Sequence, residues 1–319
     1  MMTANQVRLN QNPILTSLLL GLGQGTMIAE QLFPRLPQVL STVSLAQLGD
    51  ERLRRYNTRR APGTATKRVN IKYDGKTYTI DQHSIEVPLP RELLREADES
   101  RKLNVGNYLD ISRIAMVTAN DILGLGYELD VAELATSSGT YAAGHVVALA
   151  GGTKWTADTG LAVTDLDAAK DVIRKKIGKR PNKLTLSADA YTALRNNKQV
   201  LSRLPSTFIG TPGINELKTI LDIENIVVGD AVWIDGNDAG QDVWGNNAIL
   251  AYVPKIGGSG GEISLAEPGF GFTNVIEGHP FAEAPYYENG TKSWVYGATY
   301  ERRPNVAYNT AAFLFQNPK

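Results

Sequence analysis

The period of the apolar positions changes repeatedly along this chain, and each change marks a new kind of element. The first fifty residues hold apolar pieces broken by Gly21, Gly23, Gly25, Pro34 and Pro37, which predicts an extended, loosely structured arm. Val69, Ile71 and Tyr73 then alternate with polar residues, as do Thr77, Tyr78 and Ile80 across Asp74-Gly75. Asp-Gly between alternating segments predicts a β-hairpin that turns there. Pro88 and Pro90 close the extended stretch, because a residue before proline is pushed out of helical geometry.

Helical spacing takes over after Pro90. Arg91–Lys102 is rich in helix formers. From Asn104 to about Ala135, Tyr108, Ile111, Ile114 or Ala115, Thr118, Ile122, Leu125, Leu129 and Ala132 recur with a helical period. Some thirty residues at about 1.5 Å each predict a rod of roughly 45 Å, with Gly124 and Gly126 as points where it could bend. Residues 136–160 are rich in small side chains and read as loop with a short strand near His145–Ala148.

The next block reads as an alternating α/β module. A helix starts at Thr164–Asp167, buries Leu166, Ala169, Ile173 and Ile177, and ends at Gly178 as a C-terminal cap. Lys183–Leu186 is a strand, Ser187 caps a helix over Ala188–Asn197, Ile214–Leu221 is a third helix, and Asn225–Val228 a second strand. Beyond Gly229 the pattern is strand and turn: Asn247–Val253, Phe270–Glu277, Lys292–Glu301 and Ala311–Phe315, with a glycine-serine loop at Gly257–Gly261.

Charge singles out one region. The 319 residues balance at 33 basic and 33 acidic side chains, so nothing pulls the whole chain towards nucleic acid or membrane. Residues 51–76, however, carry nine Lys or Arg against two acids. The segment 50–90 is thus a basic arm with little apolar content, and an isolated two-stranded hairpin is marginal in water. It must lie on the rest of its own chain or reach over another copy. Arg54, Arg55, Arg59 and Arg60 with Tyr56 suit phosphates and a stacked base. The same forks suit carboxylates on a neighbouring protein. The long paired tip favours protein contact; a solvated loop is the bland alternative. The candidate contact residues are Arg52, Arg54, Arg55, Tyr56, Arg59, Arg60, Lys67, Arg68, Lys72 and Lys76.

Catalytic chemistry finds little support. There is no cysteine, hence no disulfide, thiolate zinc site or thiol nucleophile. His83, His145 and His279 are far apart and match no ligand spacing. Ser259, within Gly257–Gly261, lacks the strand-turn-helix setting of a nucleophile elbow. Gly21-x-Gly23-x-Gly25 lacks the flanking strand and helix of a dinucleotide loop. Glu96, Asp98 and Glu99 lie among Arg91, Arg95, Arg101 and Lys102, as on a solvated ion-pair face. Ile14–Leu22 is too short for a membrane span and has neither the basic start nor the cleavage site of a signal peptide. No cofactor, metal or membrane contact is expected.

The order of parts resembles the major capsid protein of tailed bacteriophages. The likeness is strongest over Asp165–Val232, where I-G-K-R-P-N-K-L-T-L-S-A-D-A-Y-T-A-L-R-N at 177–196 and I-V-V-G-D-A-V at 226–232 are similar to the axial domain of that family. It covers most of the chain and rests on order and pattern. The resemblance implies an α+β, HK97-like fold with an N-terminal arm (1–48), an extended loop (49–87) that lies over an adjacent subunit, a peripheral domain with a spine helix (88–161 and 254–303) and an axial domain (162–253 and 304–319). It implies a non-enzymatic shell subunit that forms hexamers and pentamers around double-stranded DNA, assembled in the host cytoplasm and carried in the virion. The implied partners are itself, a portal protein, a separate scaffolding protein, a cement or decoration protein in some members, and packaged DNA held without sequence specificity. Some members lock the shell with a lysine–asparagine isopeptide bond. Lys67, Lys72 or Lys76 with Asn305 or Asn309 would be the residue types, but no sequence context identifies a pair. Two rivals remain: an encapsulin-like compartment shell that encloses enzymes, and an α/β hydrolase.

Overall fold

Polar caps and apolar stripes place the elements, which the computed structural model describes for residues 27–48, 50–66, 68–70, 73–102, 110–205, 210–254 and 267–319. Near the N-terminus, helix α1 (Ala29–Leu32) and strand β1 (Arg35–Gln38) belong to the body. Ile28, Ala29, Leu32 and Phe33 are all buried, so this part of the expected loose arm is core. The Phe33 ring lies so close to Gly271 that a Cβ there would sit 2.2 Å from it. The remainder of that expectation, and the Ile14–Leu22 run, lie outside the described residues.

The predicted turn at Asp74-Gly75 does not form. Both residues lie inside β3 (Tyr73–Thr79), which pairs antiparallel with β2 (Thr42–Leu48), Ala46 opposite Gly75. The arm is thus a ribbon whose partner strand comes from before the basic loop. Local turn chemistry lost to a longer pairing that sequence proximity does not reveal. β4 (Asp81–Pro90) leaves the arm and lies along the long strand β14 from Arg302 to Ser293. Its alternating exposed and half-buried residues are those of an edge strand, where Pro88 and Pro90 cost no ladder bond.

Helix α2 (Arg91–Lys102) follows, and α3 runs unbroken through both glycines from Ile111 to Thr136. Asp110 caps it by accepting from the Arg113 amide at 3.1 Å. Its 26 residues span about 39 Å. The start predicted at Asn104 lies outside the described residues. After β5 (Val146–Ala148), helix α4 (Ala162–Ile177) begins two residues earlier than its sequence signal and ends at Gly178 with φ +75°. The expected stripe of Leu166, Ala169, Ile173 and Ile177 is buried.

Strand β6 (Lys183–Ser187) leads into α5 (Ala188–Arg195), whose first turn Ser187 caps by accepting from the Ala190 amide. Then come α6 (Lys198–Leu201), α7 (Ile214–Leu221) and β7 (Asn225–Gly229). A small hairpin, β8 (Val232–Ile234) with β9 (Gly240–Asp242), precedes β10 (Asn247–Ala251). The glycine-serine loop expected at 257–261, with Ser259, lies outside the described residues. β11 (Gly271–Ile276), β12 (Phe281–Ala282), β13 (Tyr286–Glu288), β14 (Ser293–Val306) and β15 (Ala312–Gln316) complete the chain.

Two sheets organise the body. A six-stranded sheet runs β1-β11-β14-β12, with β13 and β4 also on β14, and α3 packs across β14 and β4. A five-stranded mixed sheet runs β5-β15-β10-β6-β7, flanked by α4, α5 and α7. β14 is five residues longer at its C-terminal end than its apolar pattern suggested, because Arg302 and Arg303 lie inside the strand.

Candidate functional site

The arm is anchored at its root and open at its tip. Ile80 is buried and donates its amide to the Ser41 carbonyl at 2.8 Å. Tyr78 packs on Leu36, Phe272 and Ala307, and burial pushes its phenol above the ordinary value. Beyond the ribbon, Arg54, Arg55, Arg59, Arg60 and Arg68 are exposed, and Tyr56 is 41% exposed. No carboxylate among the described residues pairs with these five arginines. Arg60 donates to Thr66, Nη1 to Oγ1 at 3.3 Å. Lys67 and Lys72 lie outside the described residues. Lys76 and Arg52 are placed by their backbones, Lys76 opposite Leu45 and Arg52 in a short turn of helix at Asp50–Leu53. Leu53 rests against Gly178 at the end of α4.

Helix α3 is apolar on two sides. Ala115, Met116, Ala119, Leu123, Tyr127, Val131, Ala132 and Ala135 face the body. The stripe read from the sequence lies partly on the other side: Ile114 is 47% exposed and Ile122 44%, with Thr118 exposed between them. Arg113 and Asp121 are exposed beside them, so the outer side of α3 carries an apolar stripe flanked by charge that the described residues leave exposed.

Buried polar residues join the parts, and the sequence reading missed them. Glu128 is fully buried in α3. Its carboxylate accepts from the Ile28 and Ala29 amides at 2.8–3.0 Å and from Trp244 Nε1 at 2.6 Å. The N-terminal segment, the long helix and the loop before β10 thus meet on one side chain. Burial raises its pKa, and the bonds from Ile28, Ala29 and Trp244 pull the other way. Arg302, 1% exposed, donates to the Leu123 carbonyl at 2.7 Å and to Asp130 at 2.9 Å. Its guanidinium lies 5.0 Å from the ring centres of Tyr127 and Tyr300. Burial lowers its pKa, with Asp130 opposing. Glu128 stands four residues before Ala132 and seven before Ala135, a spacing that puts it on the buried side. That was the available signal.

A cleft of about 500 Å³ opens where β4 leaves β14, lined among others by Tyr78, His83, Asp130, Glu133, Arg302 and Asn305. Pro304 lies on this freed stretch of edge and has no N–H to leave unpaired. Asn305 and Asn309 both line the cleft, and no lysine does among the described residues. The Asn305 amide donates to the Arg303 carbonyl at 3.1 Å.

The three histidines stay apart. His83 lines the cleft, and burial and Arg302 lower its pKa. His145 is buried with Nδ1 2.9 Å from the Ala312 carbonyl. His279 Nδ1 accepts from the Glu301 amide at 3.1 Å, and burial lowers its pKa. Among the described residues no group of three or more His, Cys, Asp or Glu could hold a metal ion. None of the described helices is long and apolar enough to cross a membrane.

No protein-family model matches the chain. The major capsid protein of Burkholderia phage BcepMu is 32% identical over 273 residues, 85% of each chain. A phage-related protein from Bordetella bronchiseptica has a crystal structure that covers 97% of both chains with TM-score 0.76 and 33% identity. The capsid of cyanophage P-SCSP1u (TM-score 0.56, 13% identity) and an encapsulin from Synechococcus elongatus (0.53, 14%) share the fold over 93% of this chain. A ribbon arm, a long helix with an exposed apolar stripe, and two sheets in this order, joined to that level of identity across both chains, place the protein in the family of phage major capsid proteins, with the HK97-like α+β fold.

Proposed function

We propose that this chain is the shell subunit of a tailed phage, whose copies form hexamers and pentamers and tile an icosahedral shell around double-stranded DNA. The likeness to the BcepMu capsid protein over 85% of both chains carries this reading. The subunit's own surfaces support it. An arginine-rich loop and an apolar helix stripe, both left exposed by the described residues, are what a protein completed by its neighbours presents.

In this reading residues 49–87 are the extended loop over an adjacent subunit, and Arg52, Arg54, Arg55, Tyr56, Arg59, Arg60, Lys67, Arg68, Lys72 and Lys76 are its contact side chains. Residues 88–161 and 254–303 form the peripheral domain, and 162–253 and 304–319 the axial domain. The subunit performs no catalytic step. It assembles in the host cytoplasm with a separate scaffolding protein and meets a portal protein and packaged DNA, in some relatives also a cement protein. An encapsulin-like compartment shares only the fold, at 14% identity, and has less support. The test is negative-stain microscopy of the concentrated protein, alone and with a scaffolding protein. Rings, tubes or shells are expected; a monomer under every condition would sink the reading.

A further inference from the structure

The β8–β9 hairpin leaves one apolar face exposed. Val232 is 57% exposed and Ile234 72%, two residues apart and hence on one face. Two strands alone are marginal, yet this hairpin is built to hold its shape. Asp235 Oδ1 accepts from the Asn237 and Ala239 amides at 2.8 and 3.0 Å, and the Asp235 amide donates to the Ala239 carbonyl. Its root is fixed by Trp244, whose ring lies against Gly229 where a Cβ would sit 2.3 Å away. An apolar pair held exposed on a shaped hairpin and rimmed by charge is a surface suited to docking.

Its charge says what docks there. Residues 230–242 hold Asp230, Asp235, Asp238 and Asp242 and no lysine or arginine. Asp230, Asp238 and Asp242 are exposed, with no basic partner among the described residues. The loop of the arm is the opposite: residues 52–70 contain no acid, and exposed arginines alternate with exposed Leu53, Tyr56 and Val69. Each surface is charged, apolar in part, and lacks what the other carries.

Among the described residues no ion pair joins the arginines of the loop to Asp230, Asp238 or Asp242 of the same chain. Leu53 rests on Gly178, beside the end of the five-stranded sheet where β6 and β7 begin. The hairpin springs from the opposite end of β7, five residues or about 17 Å further on. Complementary patches at two places on one molecule pair head to tail between copies, and such contacts close into rings.

We propose that the β8–β9 hairpin is the seat for the arginine-rich loop of a second copy, with Asp230, Asp238 and Asp242 of one subunit facing Arg54, Arg55, Arg59 and Arg60 of the next. The inference rests on the shell reading and deepens it by naming one intersubunit contact.

The test is charge exchange on the full chain, read by sedimentation and microscopy. Asp230→Lys with Asp242→Lys, or Arg59→Glu with Arg60→Glu, should cut the assembled fraction about tenfold or more, and the four together should restore it. All four sites are exposed, so circular dichroism and the thermal midpoint should not move. As a second measurement, Tyr56→Cys with Ile234→Cys, in a chain that has no other cysteine, should give covalent dimers and higher ladders on air oxidation. An internally linked monomer would overturn the pairing. Variants that assemble like the wild type overturn it while the shell reading stands; a wild-type protein that never assembles overturns both.

Discussion

The arm and the five-stranded module put their chain to opposite ends. In the module, Leu184, Leu186, Leu194, Leu217, Ala248, Leu250 and Leu314 are fully buried, and each helix folds back on the sheet beside it. In the arm, β2 and β3 pair chiefly with each other, and the loop they carry points its arginines outwards. One region satisfies its apolar surface internally. The other holds little apolar surface and presents charge, so its order gains most when a second surface arrives. On the proposed shell reading, stability and assembly would fall to different residues of one chain.

That separation can be broken experimentally. The largest effect is expected from deleting residues 57–70: shells should vanish from micrographs while the thermal midpoint of the soluble subunit stays within about 4 °C, the scale of a change near 1 kcal/mol. Truncation that unfolds the subunit would show that the arm belongs to the core after all. Next come two neighbours on α3. Leu123→Ala, on the buried face, should cost about 2–5 kcal/mol in urea unfolding, whereas Ile122→Asp, on the exposed face, should cost less than about 0.5 kcal/mol and still abolish shells.

Glu128→Ala should lower stability by about 1–3 kcal/mol, the cost of leaving buried donors unpaired. Limited proteolysis should then cut near Ile28, since that segment loses its tie to α3.

The smallest effect is a pH dependence at His279. Its folded pKa is depressed by burial, so the unfolded chain binds the proton more readily. Stability from this group is present above its ordinary value of 6.5 and is lost as pH falls through the depressed one. The urea midpoint should fall between pH 7 and pH 5, and His279→Gln should flatten that slope; an unchanged slope would remove His279 as its source.

Elements whose determinants are local were legible. Gly178 has the positive φ that its place after a helix requires, Ser187 caps the helix its position announces, and the stripe from Leu166 to Ile177 is buried as its spacing demands. The Asp74-Gly75 turn was misread because β3 pairs with a strand some thirty residues upstream, and that ladder outweighs a two-residue preference. The stripe read along α3 lies partly on its exposed side, at Ile114 and Ile122, because periodicity reports that a face is apolar, not whether anything covers it.

The sequence by itself determined the alternating module, the long helix, the basic character of the arm and the lack of cysteine chemistry, because each follows from neighbours within a turn or two, or from simple counting. Only the tertiary structure decided that β2 is the arm's second strand, that Glu128 gathers three segments, that Arg302 lies buried between two tyrosines, and that Val232 and Ile234 are exposed on an acidic hairpin. Those depend on contacts between residues roughly thirty to two hundred apart, where closing the loop costs little more than closing a shorter one and local pattern carries no record of the partner.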